Sequence, residues 1–345
     1  MTMTHSARSK ITQGGSILII ALWALFLLTT FTIQIGLIVR QKITLAKRLD
    51  MRDKLLLIAE AGIKTAIMEL RIDDVLPDAD VFYEAWGNHM ESFKDVAVGD
   101  GYFRVGYDDF ENGAKATHFG VMDEGSKINL NEADAETLSK VLQIGAGLDS
   151  EESTRLAYAI IDWRDADSFY QHPEYGAEDD DYKNSQTPYE AKDAPYETVD
   201  ELLLIQGMNP AIYARLKDLI TAYGSGKINI NTAAQTTLKV LGLSDKVVQD
   251  ILDFRRGEDK IEGNVDDHVF TAPSEIILKL GQFTVVELSD QSRLNLLIDQ
   301  GRLSTITDFF MIQSRAGIKA SHQQAEITAV VNRQGHIQYW RETFL

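Results

Sequence analysis

Residues 11–39 read ITQGGSILIIALWALFLLTTFTIQIGLIV and include no charged side chain. An α-helix needs about 20 apolar residues to cross the hydrocarbon core of a bilayer, so this run is long enough to span a membrane. The side chains expected to face lipid include Ile17, Leu18, Trp23, Phe26 and Phe31. The sequence therefore predicts a single membrane anchor near the N-terminus.

The helical pattern continues beyond the apolar run. After Arg40 no proline occurs until Pro77, and Leu, Ala, Lys, Glu and Met predominate. Apolar residues recur roughly on one face of a helix, at Leu45, Leu49, Leu56, Ile63, Ile67 and Leu70. We predict one helix over residues 16–71, whose first half spans the membrane and whose second half is amphipathic. Residues 16–75 are then a membrane-spanning and stalk region.

Two glycines, Gly14 and Gly15, lie directly before the apolar run, and Arg8 and Lys10 precede them. A secretory signal peptide has its cleavage site after the apolar segment, which is the opposite order. This layout resembles the N-terminus of type IV pilin-like proteins, and the resemblance implies a short leader that prepilin peptidase removes. We predict cleavage between Gly15 and Ser16, which makes residues 1–15 the leader. Cleavage after Gly14 is the alternative.

An internal repeat defines the rest of the architecture. The segment SKINLNEADAETLSKVLQ begins at Ser126, and GKININTAAQTTLKVLG begins one hundred residues later at Gly226. The chain between and after the copies has a helical pattern, so residues 126–282 are predicted to form a large inserted all-α domain. Asn131 and Thr232 are the expected N-caps of the helices that follow each copy. The repeats resemble helix-hairpin-helix units.

Alternating apolar and polar residues on both sides of this domain predict antiparallel strands. Residues 76–125 and 283–345 are therefore interpreted as two parts of one pilin-like head, with a hairpin turn at Glu111, Asn112 and Gly113. The predicted fold class is α+β: a long N-terminal helix, an antiparallel sheet and an inserted helical domain.

Composition excludes several functions. The formal net charge of −18 disfavours a nucleic-acid partner, and the absence of cysteine excludes disulfides and thiolate metal sites. The seven histidines are scattered, without H-E-x-x-H, G-x-S-x-G or a phosphate-binding glycine loop. We expect no enzymatic activity. A membrane-anchored protein that binds nucleic acid through the repeats is a less favoured alternative.

One acidic stretch is the best candidate for a bound ligand. Between Asp162 and Asp200, twelve acidic residues stand against three basic ones, together with five tyrosines and three prolines. Aromatic residues and prolines indicate an ordered loop, and an ordered cluster of carboxylates needs a counter-charge. A hard cation with oxygen ligands supplies one. The predicted ligands are Asp165, Asp167, Glu178 and Asp179, followed by Asp162 and Asp181.

The spacing is not that of an EF-hand, because Tyr170 stands where glycine is needed if the loop starts at Asp165. Only His172 lies nearby, so zinc is a weak option. Calcium is the expected ion, and a solvated acidic loop is the alternative.

The whole pattern resembles the K-type minor pseudopilin of type II secretion. The resemblance rests on ALW at residues 21–23, LLLIAEAGIKTAIMEL at 55–70, the inserted domain and the DW-x-D-x-D … GAED segment. The residue five positions after cleavage is Ile20, or Ile19 for the alternative cut. Major pseudopilins have a glutamate there, whereas an apolar residue is similar to the K subunit. Type IV pilus minor pilins are the alternative class.

The resemblance implies a non-enzymatic subunit at the tip of the pseudopilus, which nucleates or caps its assembly for export of folded proteins. It also implies calcium in the insert, methylation, and prepilin peptidase, other minor pseudopilins, the inner-membrane secretion platform and membrane lipid as partners. The expected location is the bacterial inner membrane, with one span and a periplasmic head. Basic residues after the span, such as Arg40 and Lys42, would by themselves favour a cytoplasmic head.

Overall fold

The computed structural model describes residues 14–72, 76–111, 114–184, 187–319 and 322–345. Met1–Lys54 and Leu55–Leu345 are two separate compact units. The helices are α1 (Gly14–Ile72), α2 (Met90–Phe93), α3 (Ala135–Ala146), α4 (Ser150–Arg164), α5 (Asp179–Lys183), α6 (Pro210–Leu216), α7 (Gln235–Val240), α8 (Asp245–Arg255), α9 (Ile276–Phe283) and α10 (Leu288–Asp299). The strands are β1 (Val96–Val98), β2 (Gly101–Val105), β3 (Tyr107–Glu111), β4 (Ala114–His118), β5 (Met122–Asp123), β6 (Ile128–Asn129), β7 (Ile220–Thr221), β8 (Ile228–Asn229), β9 (Leu303–Ser304), β10 (Phe309–Ile318), β11 (Gln324–Asn332) and β12 (Ile337–Phe344).

Helix α1 is continuous over 59 residues, which confirms the predicted long helix. Its apolar segment contains threonines whose hydroxyls donate to backbone carbonyls of the preceding turn: Thr30 to Phe26 at 2.8 Å and Thr32 to Leu28 at 2.7 Å. These bonds satisfy polar groups that would otherwise be costly in hydrocarbon. Among the described residues, α1 is the one helix that is long and apolar enough to cross a membrane.

The last turns of α1 pack against the sheet. Leu55, Ala59, Ile63 and Ala66 are buried, and they recur every three to four residues as a helix face requires. The buried face begins at Leu55, whereas the sequence analysis places Leu56 on it. At Gly62 a Cβ atom would lie 2.2 Å from the Ser314 Oγ, so the helix and the sheet approach each other closely there.

The head contains one antiparallel sheet in the order β1-β2-β10-β11-β12, and β5 also pairs with β10. Strands from both sides of the insert join it, as the sequence predicts. Ser314 pairs with Val105 and with Ile327, which places the middle of β10 between β2 and β11. Strands β3 and β4 form the predicted hairpin; its turn residues Asn112 and Gly113 lie outside the described residues.

The inserted domain has one apolar core, which runs from Ile128 to Leu303 in the sequence. Leu294 and Leu297 of α10 belong to this core, so the domain continues beyond residue 282, where the sequence analysis ends it. The domain is also not wholly helical, because β6 pairs with β7 and β8 with β9 in two short parallel pairs. Two-residue strands have too little pattern to be read from sequence.

The internal repeat extends to tertiary contacts. In the first copy the guanidinium of Arg164 donates to the carbonyls of Leu130 and Ala133. In the second copy Arg255 donates to the carbonyls of Ile230 and Ala233, which lie one hundred positions after the first pair. The two copies therefore use one packing arrangement, and Arg164 and Arg255 are equivalent.

In each copy of the repeat, an asparagine side chain binds the backbone of a distant residue and does not cap a helix. Asn131 exchanges two hydrogen bonds with the backbone of Tyr196, at 2.7 and 3.0 Å, and Asn231 does the same with Phe270, at 2.9 Å for both. The N-cap of α3 is Asp134, and α7 follows Ala234 with no side-chain cap, so the predicted caps Asn131 and Thr232 are wrong. The helix-hairpin-helix resemblance stays a prediction.

A buried polar cluster joins the head to the second copy. The Asn229 Nδ2 donates to the backbone carbonyl of Asp80 at 3.1 Å and to the Asp123 carboxylate at 2.9 Å. The Asp80 carboxylate is paired with the guanidinium of Arg333. Burial nevertheless raises the pKa of Asp80 to about 6, because loss of water outweighs the favourable charge of Arg333.

Asp80→Asn is expected to reduce the pH dependence of stability. The pKa of Asp80 is higher in the folded chain than in the unfolded chain, so the stability it contributes is present near pH 4 and is lost as pH rises through about 6. Relative to the variant, the wild type should lose up to about 3 kcal/mol of unfolding free energy between pH 4 and pH 7. Urea titration of the full-length chain in detergent measures this loss.

Asp78→Asn, at an exposed carboxylate two residues away, is the matched control. Equal pH profiles for wild type and Asp80→Asn would contradict the expectation.

Candidate functional site

The acidic stretch follows α4, and the structure describes its residues 165–184 and 187–195, hereafter the acidic loop. Trp163 and Tyr182 are buried, and their rings meet edge to face with centroids 5.3 Å apart. The Tyr189 ring packs against Tyr182 at 5.2 Å. Aromatic contacts of this kind bury a large apolar area, so they explain why a loop with so many acidic residues is ordered.

Asp162, at the end of α4, organises the loop. Its carboxylate is fully buried and accepts hydrogen bonds from the backbone N–H groups of Gln171 at 3.1 Å and Ala177 at 3.0 Å. Gly176 has φ +112°, and a Cβ there would lie 2.0 Å from the Asp162 Oδ2, so only glycine lets the backbone pass so close. Burial raises the pKa of Asp162 to about 6 despite these two bonds.

Three carboxyl groups around Asp162 lack the partners that buried oxygens normally have. Both oxygens of Asp165, both of Glu178 and the Oδ1 of Asp193 are buried with no hydrogen-bond partner among the described residues. Burial, followed by the charges of Asp162, Asp165, Asp193 and Asp167, raises the pKa of Glu178 to about 7. We call Asp162, Asp165, Asp167, Glu178 and Asp193 the carboxylate cluster. Unpartnered buried acceptors are costly, so the cluster requires protons or a cation.

The six predicted ligands fall into two groups. Asp162, Asp165, Asp167 and Glu178 belong to the cluster, although Asp167 is exposed and accepts from the Phe169 N–H at 2.9 Å. The other two, Asp179 and Asp181, have hydrogen-bond or ion-pair partners outside the cluster or on the backbone.

Asp179 binds Lys183 at 2.7 Å and the Ala191 N–H at 2.9 Å. Asp181 accepts from the Tyr170 hydroxyl and from the Glu178 N–H, each at 3.0 Å. Asp193 was not among the predicted ligands, because it lies well beyond the acidic run of residues 178–181 and no spacing pattern links it to that run.

No three His, Asp or Glu side chains of the described residues stand in a ready-made ligating arrangement. The cluster offers carboxylate oxygens, which are the donors that Ca²⁺ prefers. These oxygens do not form a closed ligand shell. The prediction of calcium stays untested.

The predicted processing and membrane residues lie at the start of α1. Gly15 and Ser16 are in its first turns. Ile17, Leu18, Trp23, Phe26 and Phe31 are all exposed, with 59–73% of each side chain accessible. Exposed apolar side chains over such a length suit a lipid environment, while cleavage after Gly15 stays a prediction.

The last turns of the long helix pack on an antiparallel sheet, and a largely helical domain is inserted between the strands of that sheet. This is the α+β architecture that the sequence predicts. The crystal structure of the GspK-GspI-GspJ complex from the enterotoxigenic Escherichia coli type 2 secretion system contains a chain of similar fold. The TM-score is 0.65 at 16% sequence identity, over 86% of this chain and 99% of that chain. This likeness establishes the fold.

Residues 123–225, which include the carboxylate cluster, match the family described as type II secretion system (T2SS), protein K. The type II secretion system protein K of Aeromonas hydrophila is 37% identical over 100 residues. That alignment spans 28% of this chain and 30% of the relative's length. The resemblance to the K subunit is thereby confirmed for this part of the chain.

Proposed function

We propose that this chain is a non-enzymatic minor pseudopilin of a type II secretion system. The observation that carries the proposal is the fold likeness, over 86% of this chain, to a chain of the GspK-GspI-GspJ complex. The match of residues 123–225 to the protein K family supports it independently. The partners would be other minor pseudopilins of the same machine.

The proposed position is the tip of the pseudopilus, where the subunit nucleates or caps assembly for export of folded proteins. An acidic residue near the mature N-terminus would offset the charged amine of a neighbouring subunit above it. Ile20 is apolar, which suits a subunit with no neighbour above. The inserted domain, with its own core from Ile128 to Leu303, is bulky enough to hinder further stacking.

The proposed location is the bacterial inner membrane, with α1 as the single span and the head in the periplasm. Prepilin peptidase would remove the leader, the new N-terminus would be methylated, and the secretion platform and lipid would contact the anchor. The uncharged, exposed part of α1 up to Val39 supports the contact with lipid.

Calcium is the proposed ion of the carboxylate cluster. Asp165, Glu178 and Asp193 have buried oxygens without hydrogen-bond partners among the described residues, which supports a cation there. The ion would have to draw these side chains together, since no three of the described carboxylates stand in a ligating arrangement. These three would hold the ion with Asp162 and Asp167 beside them, and the ion would supply positive charge that stabilises their ionised forms.

Co-purification tests the proposed function. The full-length tagged chain, expressed at native level and solubilised in mild detergent, is expected to bring down the other minor pseudopilins of its own secretion system. An unrelated single-pass protein with the same tag is the control. Deletion of the chain should stop secretion, and its re-expression should restore it. Recovery of the chain alone, with normal secretion in the deletion strain, would exclude the proposal.

Leu25→Arg is expected to prevent normal membrane insertion. Position 25 lies within the apolar half of α1, and a charge near the bilayer centre costs about 2.5–3.5 kcal/mol on insertion scales. Membrane fractionation of the full chain should show most of the variant outside the inner membrane. Leu57→Arg, on an exposed site of the same helix beyond the apolar run, is the control and should fractionate normally. Equal partition of the two variants would mean that the span is wrongly placed.

A further inference from the structure

A cavity of about 320 Å³ lies between the head and the second copy of the repeat. Phe82, Tyr107 and His118 line it from the head, and Gln235, Leu252 and Arg256 line it from the second copy. Its volume falls at the lower end of the range for small-molecule sites. Its walls combine aromatic and aliphatic surface with hydrogen-bond donors.

Two polar side chains of this lining have a nitrogen without a partner among the described residues. The guanidinium of Arg256 makes no hydrogen bond or ion pair with any residue that the structure describes. The Nε2 of His118 is buried and also lacks a partner within the described part of the chain. Glu262, the carboxylate at the cavity edge, is already paired with Arg255, with its Oε1 2.7 Å from the Arg255 Nε. The cavity therefore presents unpaired donors for an anion.

The position of Arg256 has an equivalent in the first copy of the internal repeat. Because Arg164 and Arg255 hold equivalent carbonyls in the two copies, the residues that follow them, Asp165 and Arg256, are equivalent too. At this position the first copy has a carboxylate and the second has a guanidinium, each without a side-chain partner among the residues that the structure describes. One position of the duplicated unit thus has opposite charge in the two copies, which suits ligands of opposite sign.

We infer that this cavity binds a ligand with a carboxylate group on an apolar or aromatic body. A guanidinium pairs with a carboxylate through two parallel hydrogen bonds, and the imidazole Nε2 of His118 adds a donor when it carries a proton. One guanidinium beside a neutral imidazole carries a single positive charge, which matches a carboxylate better than the double charge of a phosphate. Phe82, Tyr107 and Leu252 provide surface for the apolar body. This inference does not depend on the proposed role in secretion.

Titration of the full-length chain in detergent with N-acetylphenylalanine tests the inference. The expected result is saturable binding by calorimetry, at least about tenfold weaker for the uncharged amide of the same compound, which lacks the charge-assisted bonds. Arg256→Gln should weaken binding of the acid by about tenfold or more. Lys217→Gln, at an exposed cation outside the cavity, should leave binding unchanged.

A second measurement covers the case in which Arg256→Gln does not fold. In the wild type, the His118 imidazole NMR signals, assigned with His118→Gln, should shift on titration with the acid and not with the amide. Benzoate distinguishes two sources of the carboxylate: a site for a protein C-terminus binds N-acetylphenylalanine more tightly, and a site for a small acid binds benzoate more tightly. Absence of binding at millimolar concentration, or equal affinity for acid and amide, overturns the inference.

Discussion

The Gly15→Leu precursor is expected to remain uncut, whereas the wild type should begin at Ser16. A glycine pair lies directly before an apolar run that α1 incorporates as a continuous helix. Glycine disfavours helix by about 1 kcal/mol relative to alanine, so the end of α1 at these residues opens at low cost to a peptidase. Leucine removes this opening and adds a bulky side chain at the cleaved bond. We expect complete loss of processing, measured by gel mobility and N-terminal sequencing.

Gly14→Leu is the matched control, because it changes the adjacent glycine. It should leave a mature N-terminus at Ser16 if cleavage follows Gly15. Loss of processing in Gly14→Leu alone would show that the cut follows Gly14. An N-terminus inside residues 22–39 would indicate a conventional signal peptidase and exclude the pilin-like interpretation of the leader.

Calcium is expected to raise the melting temperature of the full-length chain by several degrees and to protect the acidic loop from protease. An ion that binds only the folded state at one hundred times its Kd stabilises that state by about 2.7 kcal/mol, which corresponds to several degrees for a unit of this size. Without calcium, the charges of Asp162, Asp165, Asp167, Glu178 and Asp193 oppose one another. Chelator should therefore increase cleavage between residues 165 and 195 while the sheet stays folded.

Asp165→Asn combined with Glu178→Gln should remove the calcium response, since these residues have four buried oxygens without partners among the described residues. Asp180→Asn is the matched control, because Asp180 is an exposed carboxylate of the same loop.

Gly176→Ala should weaken calcium binding, because the new Cβ displaces the Asp162 carboxylate. Gly281→Ala is its control and should not weaken binding, since a Cβ there meets open space. Calorimetry without calcium binding at millimolar concentration, together with unchanged protease resistance in chelator, would leave a solvated acidic surface.

The elements with strong local patterns were predictable from the sequence. The long helix, the strands on both sides of the insert and the internal repeat all follow from composition and periodicity within short windows. The structure places Asp165 and Glu178, two of the predicted ligands, in one cluster, and their role as calcium ligands stays a prediction. Helix caps were not predictable, since Asn131 binds the backbone of Tyr196, which lies 65 positions away.

The details of the candidate sites depended on tertiary packing. Asp179 looks equivalent to its acidic neighbours in the sequence, yet it pairs with Lys183. Asp193 belongs to the cluster because the folded loop brings its carboxylate near Glu178. The cavity of Arg256 and His118 is made by the head and the insert together.

The sequence by itself determined the long N-terminal helix with its apolar first half, the α+β class and the position of the acidic loop. Each of these depends on residues that are neighbours along the chain, so composition and period suffice. Only the tertiary structure decided which carboxylates face one another, where Arg333 meets Asp80 and which side chains line the cavity. Arg333 and Asp80 are 253 positions apart, and the burial that raises the pKa of Asp80 arises only when the head and the insert enclose it.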